Sequence, residues 1–215
     1  AAGAYGVNSQ AGGVYIYSKS GTLKYIIQDP NVYSTSYSDY FGKAVAFSGN
    51  TLVVGAPSEG QAGVNYAGAV YVFNMSTFPA YSGTTITITS SNYTSYGYAI
   101  TNPAPTYSAN FGAAVAASSS YVAIGAPNTN QVLHNTTYNQ SGEVFVFNAS
   151  NGALLYTLPN PIPFAYENFG AVLSINDNWL VVGGPASNTT MTGYTFVYSL
   201  ADGKLKSSIG DPLAT

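Results

Sequence analysis

The hydrophobic and polar positions of this chain of 215 residues alternate with the period of two that is typical of β-strands. Short runs rich in β-branched and aromatic residues are bounded by glycine, as in GAVYVFN, GEVFVFN and GYTFVYS at residues 68–74, 142–148 and 193–199. A further run, TTITITSS at residues 84–91, alternates strictly. No segment places apolar residues at helical spacing between capping residues. The pattern therefore predicts an all-β protein without helices.

One segment of the sequence occurs three times. It reads YFGKAVAFSGNTLVVGAP at residues 40–57, NFGAAVAASSSYVAIGAP at 110–127 and NFGAVLSINDNWLVVGGP at 168–185. The Phe and the first Gly of the closing triplet are 14 residues apart in every copy. This constant spacing predicts two strands, a and b, joined by a tight turn of Ser, Gly, Asn or Asp residues.

Two more strands complete each repeat. The glycine-bounded aromatic run is strand c, and a fourth strand, d, ends at a proline, which cannot donate a hydrogen bond to a neighbouring strand. The d strands end at residues 27–30, 100–103, 158–161 and 209–212, and the second repeat has an insertion at residues 76–97. Each repeat is therefore predicted to be a four-stranded antiparallel meander, which is the blade of a β-propeller.

The repeats divide the chain into about three and a half blades within one region, 1–215. A partial blade at 1–30 is followed by blades at about 31–103, 104–161 and 162–215. The first blade lacks strand a and most of strand b, so its edge near residues 13–18 is expected to be unpaired. We expect that the chain does not close a propeller by itself. It would be part of a larger propeller or assembly, with strands supplied by further sequence or by another subunit.

The repeated segments resemble the FG-GAP repeat family, best known from the propeller of integrin alpha subunits. The residues that carry the resemblance are Phe41, Gly42, Gly55, Pro57, Phe111, Gly112, Gly125, Pro127, Phe169, Gly170, Gly183 and Pro185. The resemblance implies an extracellular propeller used in recognition or adhesion. Many members bind Ca²⁺ between strands a and b, but turns of about three residues offer too few oxygen ligands here. We expect no metal in them.

The Phe-Gly pair itself has an architectural explanation. An aromatic ring can fill the space between neighbouring blades, while glycine permits a close or left-handed backbone. We interpret the repeated segment as a device that builds the fold and not as a chemical site.

Composition narrows the possible partners. Only 6% of residues are charged, with five Lys, no Arg and a net charge of −3, which argues against nucleic acid as a partner. Cysteine is absent, and no apolar run is long enough to be a transmembrane segment. We expect no cofactor. With eight acidic residues and one histidine, stability is expected to change little between mild acid and neutral pH.

Catalytic groups are sparse in this sequence. His134 lies in the b–c loop of the third repeat, QVLHNTTYNQ, which contains no carboxylate to assist it. Asp39 and Glu167 each precede a Phe-Gly pair by two residues, but Ala109 takes that place in the third repeat. A capping or turn role suits these acids better than paired acid–base catalysis. We expect that the protein is not an enzyme.

Six Asn-x-Ser/Thr sequences indicate N-glycosylation and hence an extracellular or cell-surface protein. They begin at Asn74, Asn92, Asn135, Asn139, Asn148 and Asn188. Asn74 and Asn148 occupy the same position, directly after strand c, in two repeats.

Two functions remain open. The first is a non-enzymatic module for adhesion or recognition, binding a protein or glycan through the variable b–c loops at Gln61, Tyr66, His134 and Tyr138. The 20 tyrosines suit recognition, although Tyr is also an ordinary strand residue. The alternative is a structural subunit of an extracellular filament or surface layer, in which strand edges of copies of the chain pair with each other.

Overall fold

A computed structural model describes residues 1–30, 38–185 and 193–210. Apart from two 3₁₀ turns in the insertion, Met75–Thr77 and Tyr93–Ser95, the regular structure of these residues is β, and they contain no α-helix. The all-β prediction is confirmed. In chain order the strands are β1 (Ala2–Gly3), β2 (Gly13–Tyr17), β3 (Leu23–Gln28), β4 (Ala44–Ser48), β5 (Thr51–Ala56), β6 (Ala69–Asn74), β7 (Ile86–Ile88), β8 (Gly97–Thr101), β9 (Ala114–Ala117), β10 (Tyr121–Ala126), β11 (Gln131–Leu133), β12 (Thr136–Tyr138), β13 (Glu143–Asn148), β14 (Leu154–Pro159), β15 (Val172–Ile175), β16 (Trp179–Gly184), β17 (Tyr194–Ser199) and β18 (Leu205–Gly210).

The three complete repeats each form a four-stranded sheet, which we call units 2, 3 and 4. Their strand orders are β4-β5-β6-β8, β9-β10-β13-β14 and β15-β16-β17-β18, and all neighbours are antiparallel. These are the predicted a, b, c and d strands in sequence order. The sheets fit the blades of a β-propeller.

The first sheet, unit 1, has an unexpected fourth strand. Strand β1 contributes only two residues beside β2, opposite Val14 and Tyr15. On the other side β7, from the insertion of the second repeat, joins β3 in parallel, with Ile88 opposite Ile27. Alternation correctly indicated a strand at β7, but alternation carries no information about which sheet the strand joins. Ile88 is fully buried, which explains why this insertion is held against unit 1.

The core of the described residues lies between successive sheets, in three apolar clusters. Strand b of unit 2 shows how the alternation divides its side chains. Leu52 and Val54 pack toward unit 1, whereas Val53 packs toward unit 3. Both faces of units 2 and 3 are therefore apolar, and the units stack face to face in chain order.

The meander gives each unit two ends. The b–c loops and the d–a connections meet at one end, which we call the loop end, and the a–b and c–d turns meet at the other, the turn end. At the loop end, β11 and β12 form a hairpin inside the b–c loop of unit 3. Its two turn residues, His134 and Asn135, have φ of 49° and 61°. Positive φ at both central residues is the geometry of a tight two-residue hairpin turn.

Candidate functional site

The repeated glycines form the closest contacts between units. At the junction of units 2 and 3, the Gly112 N–H donates to Gly125 O within unit 3 at 2.9 Å. The Gly112 carbonyl lies against the Cα of Gly55 in unit 2, so a Cβ on Gly55 would overlap that oxygen. A Cβ on Gly68 would likewise overlap the carbonyl oxygen of Phe111. Two glycines per unit thus allow the backbone of the next unit to approach.

The Phe of each pair is fully buried at the same junction. Phe111 contacts the rings of Phe145 and Phe147 of its own unit edge to face, with centroids 5.5 Å and 6.2 Å apart, and its apolar cluster includes Val70 and Val72 of unit 2. Its N–H donates to Ala67 O of the preceding unit at 3.2 Å. The same arrangement is found around Phe41 and Phe169. The Phe-Gly pair therefore joins units and presents no group to a ligand.

Asparagine amides extend the junctions toward the loop end. Asn128 Nδ2 donates to Asn110 Oδ1 at 2.8 Å, and Asn168 Nδ2 donates to Asn128 Oδ1 at 3.2 Å. Asn110 and Asn168 precede their Phe-Gly pairs with φ of 55° and 57°, a left-handed conformation that Asn tolerates better than most residues. Asn110 Nδ2 also donates to Pro57 O of unit 2 at 3.3 Å. Together these bonds connect units 2, 3 and 4 and hold the loops between them in place.

A buried carboxyl group lies at the junction of units 1 and 2. Glu59 follows Pro57 by two residues, and both of its carboxyl oxygens accept from the Tyr71 hydroxyl, at 3.0 Å and 2.9 Å. Burial raises the pKa of Glu59 to about 9, and the negative charges of Asp29 and then Asp39 add to the increase. The Tyr71 pKa is also raised, by burial and then by Glu59. Glu59 is therefore protonated at neutral pH.

The corresponding position between units 3 and 4 has a different chemistry. There Asn160 Nδ2 donates to Glu167 Oε2 at 2.8 Å, and burial raises the Glu167 pKa. Asp29 is the counterpart of Asn160 in the repeat, and Asp39 is the counterpart of Glu167. The first junction thus places a carboxyl group where the third junction has an amide donor. Asp39 and Glu167 are both buried within junctions, and no group of metal-ligating side chains was found among the described residues.

The loop end carries the predicted binding residues. Gln61 exchanges two hydrogen bonds with the backbone of Asn102, at 2.8 Å and 3.1 Å, so its side chain fastens the b–c loop to the end of strand d. Tyr66 contacts Tyr107 edge to face, with centroids 6.0 Å apart. His134 is exposed at the hairpin tip, and Tyr138 is half-buried on β12.

The loop end also presents aromatic side chains that were not singled out from the sequence. Tyr107 is 71% exposed, and Tyr5, Phe164 and Tyr166 are exposed as well. Tyr107, Phe164 and Tyr166 lie in d–a connections, and Tyr5 stands at the Pro position of the Gly-Ala-Pro triplet in unit 1. At these places the sequence offers no periodic pattern that separates exposed from buried rings.

The a–b turns at the turn end consist of polar residues and glycine, although Phe47 and Trp179 are exposed beside them. The only carboxylate of the a–b turns, Asp177, accepts from Ser119 Oγ at 2.5 Å and from Ser120 N at 3.1 Å, so it links the turns of units 4 and 3. These bonds hold the Asp177 pKa below its usual range. The absence of Ca²⁺ from these turns stays a prediction.

Two of the glycosylation candidates share one local structure at this end. Asn74 Oδ1 accepts from the N–H and hydroxyl of Ser76, and Asn148 Oδ1 accepts from the same groups of Ser150. Asn92 is half-buried and accepts from Thr89 N, whereas Asn135 and Asn139 are exposed at the loop end. Asn188 lies outside the described residues.

Glu59 is the residue that the sequence analysis missed. A signal was present: in a chain with few charges, an acid follows the Gly-Ala-Pro triplet of unit 2 only. Its partner, Tyr71, stands where units 3 and 4 have Phe145 and Phe196. A hydroxyl at a position that Phe occupies in units 3 and 4 indicates a local polar partner.

Comparison with known proteins identifies the repeat. The FG-GAP repeat profile matches residues 35–73, which cover the Phe-Gly pair, the Gly-Ala-Pro triplet and strand c of unit 2. This chain carries an FG-GAP repeat. The resemblance predicted from the motif is confirmed, and the internal copies at Phe111 and Phe169 have the same spacing and the same junction geometry.

Other comparisons are less informative. A europium-containing methanol dehydrogenase matches the chain with 12% identity and a TM-score of 0.43; the match covers 83% of this chain and 26% of the dehydrogenase. The chain thus spans about a quarter of that protein. No curated protein matches the chain significantly. The described residues include no helix with the length and hydrophobicity needed to cross a membrane.

Proposed function

We propose that this FG-GAP protein is a non-enzymatic, extracellular module for adhesion or recognition that binds a protein or glycan at its loop end. The observation that carries the proposal is the set of exposed aromatic side chains there, Tyr107 foremost. Tyr combines a large contact area with a polar tip at a low cost in conformational entropy. The hydrogen bonds of Asn110, Asn128 and Asn168 hold the connecting backbone, so little ordering is needed on binding.

The electrostatics suit neutral partners. With five Lys and no Arg, the surface offers little attraction to polyanions. A neutral polysaccharide or a weakly charged protein surface is the better match for tyrosine, amide and hydroxyl groups.

The experiment is an adhesion assay on the loop end. Beads coated with the protein are tested on immobilised mannan, chitin and collagen. We expect the Tyr107→Ser/Phe164→Ser variant to lose at least tenfold in retention on the surface that holds the wild type. Tyr17→Ser, which removes an exposed ring in unit 1, is the matched control and should bind normally. Equal retention of both variants would argue against recognition by the loop end.

Glycosylation is part of the same proposal. A cavity of about 310 Å³ lies between units 2 and 3 at the turn end, lined in part by Asn74, Tyr98 and Ser150. The first sugar on Asn74 would lie beside this cavity, away from the loop end. We expect glycans on Asn74 and Asn148 in native material, to be checked by peptide mapping; two unmodified sites would remove this support for an extracellular location.

A structural role is the second candidate, because of strand β2. In unit 2 strand c pairs with six residues of strand b, whereas in unit 1 only Ala2 and Gly3 pair with the same side of β2. An edge of this kind can recruit a strand from another chain. Tyr17→Lys should prevent self-association that depends on this edge, with Tyr107→Lys as control. If sedimentation shows a monomer at all concentrations, self-association through the β2 edge is contradicted and recognition remains as the proposed function.

A further inference from the structure

The cavity between units 2 and 3 at the turn end has the size of a small-ligand site. Its volume is about 310 Å³, whereas small-molecule sites usually measure roughly 300–1,000 Å³. A space at the lower end of that range suits one sugar ring and not a chain of sugars. The lining includes Thr51, Asn74 and Tyr98 of unit 2 and Ser119, Ala149 and Ser150 of unit 3.

Small side chains account for this cavity. Thr51 is the first residue of strand b in unit 2, and Ala149 directly follows strand c in unit 3. At the junction of units 3 and 4 the same two repeat positions hold Tyr121 and Leu200, and both pack in the apolar cluster there. The junction of units 2 and 3 therefore has space at a place where the next junction has large side chains.

The chemistry of the lining suits a neutral sugar. Tyr98 offers an aromatic ring, and its hydroxyl donates to Ala149 O of unit 3 at 2.9 Å, which holds the ring between the two units. The hydroxyls of Ser119 and Ser150 already donate their protons within the protein, so their oxygens can accept from sugar hydroxyls. None of the described residues that line the cavity is charged.

We propose that this cavity holds the first N-acetylglucosamine of an N-glycan on Asn74, so that the sugar joins unit 2 to unit 3. Asn74 is exposed, borders the cavity and begins an Asn-x-Ser sequence. In the attachment step the amide nitrogen loses a proton, bonds to C1 of the sugar and displaces the diphosphate carrier of the activated glycan. The link then presents the sugar at high effective concentration, so weak contacts are sufficient to seat it. The inference rests on the proposed glycosylation and adds a site for the sugar.

Asn148 provides an internal control. Its Oδ1 accepts from the N–H and hydroxyl of Ser150, as Asn74 does from Ser76, but its junction contains Tyr121 and Leu200. A sugar on Asn148 should therefore stay in solvent. Because Asn148 is half-buried and Asn74 is exposed, the exposure of the two amides alone predicts easier access to the glycan on Asn74. A sugar seated in the cavity predicts the opposite order.

The experiment measures how fast each glycan is removed. The full chain is secreted from a eukaryotic cell line and treated, while folded, with peptide N-glycosidase, and peptide mass spectrometry follows the conversion of each asparagine to aspartate. We expect release at Asn74 to be about tenfold slower than at Asn148, because the enzyme acts only on molecules whose sugar is outside the cavity. After denaturation the two rates should be equal.

Variants of the cavity lining test the cause. Thr51→Tyr/Ala149→Leu introduces the side chains that the next junction has at these positions, and it leaves both glycosylation sequences intact. It should raise the rate of release at Asn74 about tenfold. Thr51→Ser, which keeps a small hydroxyl side chain, is the matched control and should leave the rate slow. The comparison of Asn74 with Asn148 in the wild type does not depend on either variant; if Asn148 is unmodified, the filled variant serves as the reference.

The outcomes distinguish this inference from the glycosylation on which it rests. An unmodified Asn74 in the secreted protein would contradict both. A glycan on Asn74 that is released from the folded protein as fast as the one on Asn148 would contradict the inference alone. Slow release that persists in Thr51→Tyr/Ala149→Leu would also overturn it, because the cavity would not be what shields the sugar.

Discussion

At the scale of single residues, the Gly of the Phe-Gly pair and the first Gly of the Gly-Ala-Pro triplet have different structural roles. Gly112 adopts φ of 91°, which other residues rarely adopt, whereas Gly55 lacks a side chain because a neighbouring carbonyl occupies its place. The sequence showed that both glycines recur, but spacing alone does not reveal which one meets the next unit. Only the contact across the junction separates them.

The first prediction concerns Gly55. Gly55→Ala should destabilise the protein by about 3 kcal/mol, because the new methyl group would force the Gly112 backbone away. Gly183→Ala, at the same repeat position, should cost less than about 1 kcal/mol, since its nearest contact is 3.3 Å away. Urea unfolding of both variants measures the difference. Similar losses would show that the glycine is needed for its own strand and not for the junction.

A second prediction follows from Glu59. Its pKa of about 9 in the folded protein is above the unfolded value of 4.5, so the folded state holds an extra proton between these values. Stability should be highest below pH 4.5 and fall toward pH 9, by up to about 1.4 kcal/mol per pH unit. This replaces the expectation of a stability that is insensitive to pH, which counted acids without knowing that one was buried.

The measurement is the urea midpoint at pH 5, 7 and 9. Glu59→Gln keeps a partner for the Tyr71 hydroxyl and should remove most of the decline; the raised pKa values of Glu143 and Glu167 leave a smaller remainder. Asp202→Asn is the control, because hydrogen bonding to Lys206 lowers the Asp202 pKa to about 2, outside the range. If the loss of stability between pH 5 and 9 persists in Glu59→Gln, groups other than Glu59 cause it.

At the scale of elements, the sequence predicted the strands that have a local signal, but it could not predict pairing between distant segments. The a–b hairpins follow from the constant spacing of 14 residues, and strands c and d follow from alternation, glycine and proline. The parallel pairing of β7 with β3 could not be predicted, because it joins residues about 60 positions apart that share no motif. The hairpin β11–β12 was also missed, since its strands have only three residues each.

These two elements should differ in their effect on stability. Replacing residues 132–137 with Gly-Gly should change the free energy of unfolding by less than about 1 kcal/mol, because these residues are exposed and pair within the hairpin. Ile88→Ala on β7 should cost about 2–4 kcal/mol, because its side chain is fully buried. Thermal unfolding of the two variants is the measurement. A large loss from the hairpin deletion would show that this loop supports the fold.

At the scale of the whole molecule, the protein is a row of units joined by nearly identical junctions. Charge contributes little to it: the ion pair found among the described residues, Lys206–Asp202, is exposed. Cohesion comes from apolar clusters between neighbours. In such repeat arrays stability is approximately the sum of unit and neighbour terms, so weakening one junction can separate the units on either side.

The third junction allows this to be tested, because the only tryptophan lies beyond it. Phe169 is fully buried in a cluster that includes Val144 and Leu158 of unit 3, and its ring also contacts Phe196 and Tyr198 of its own unit, with centroids 5.3 Å and 6.3 Å apart. Phe169→Ala should therefore cost about 3–5 kcal/mol, shared between unit 4 and its junction with unit 3. Trp179 reports on unit 4, and far-UV circular dichroism reports on all sheets. In the wild type we expect both signals to change at one urea concentration; in Phe169→Ala the Trp179 transition should occur at a lower urea concentration than the dichroism transition.

The control is Phe41→Ala, which removes the same ring from the first junction. In this variant the Trp179 transition should not occur at a lower urea concentration than the dichroism transition. Coincident transitions in Phe169→Ala would mean that the units unfold together, with cooperativity that extends beyond neighbouring junctions.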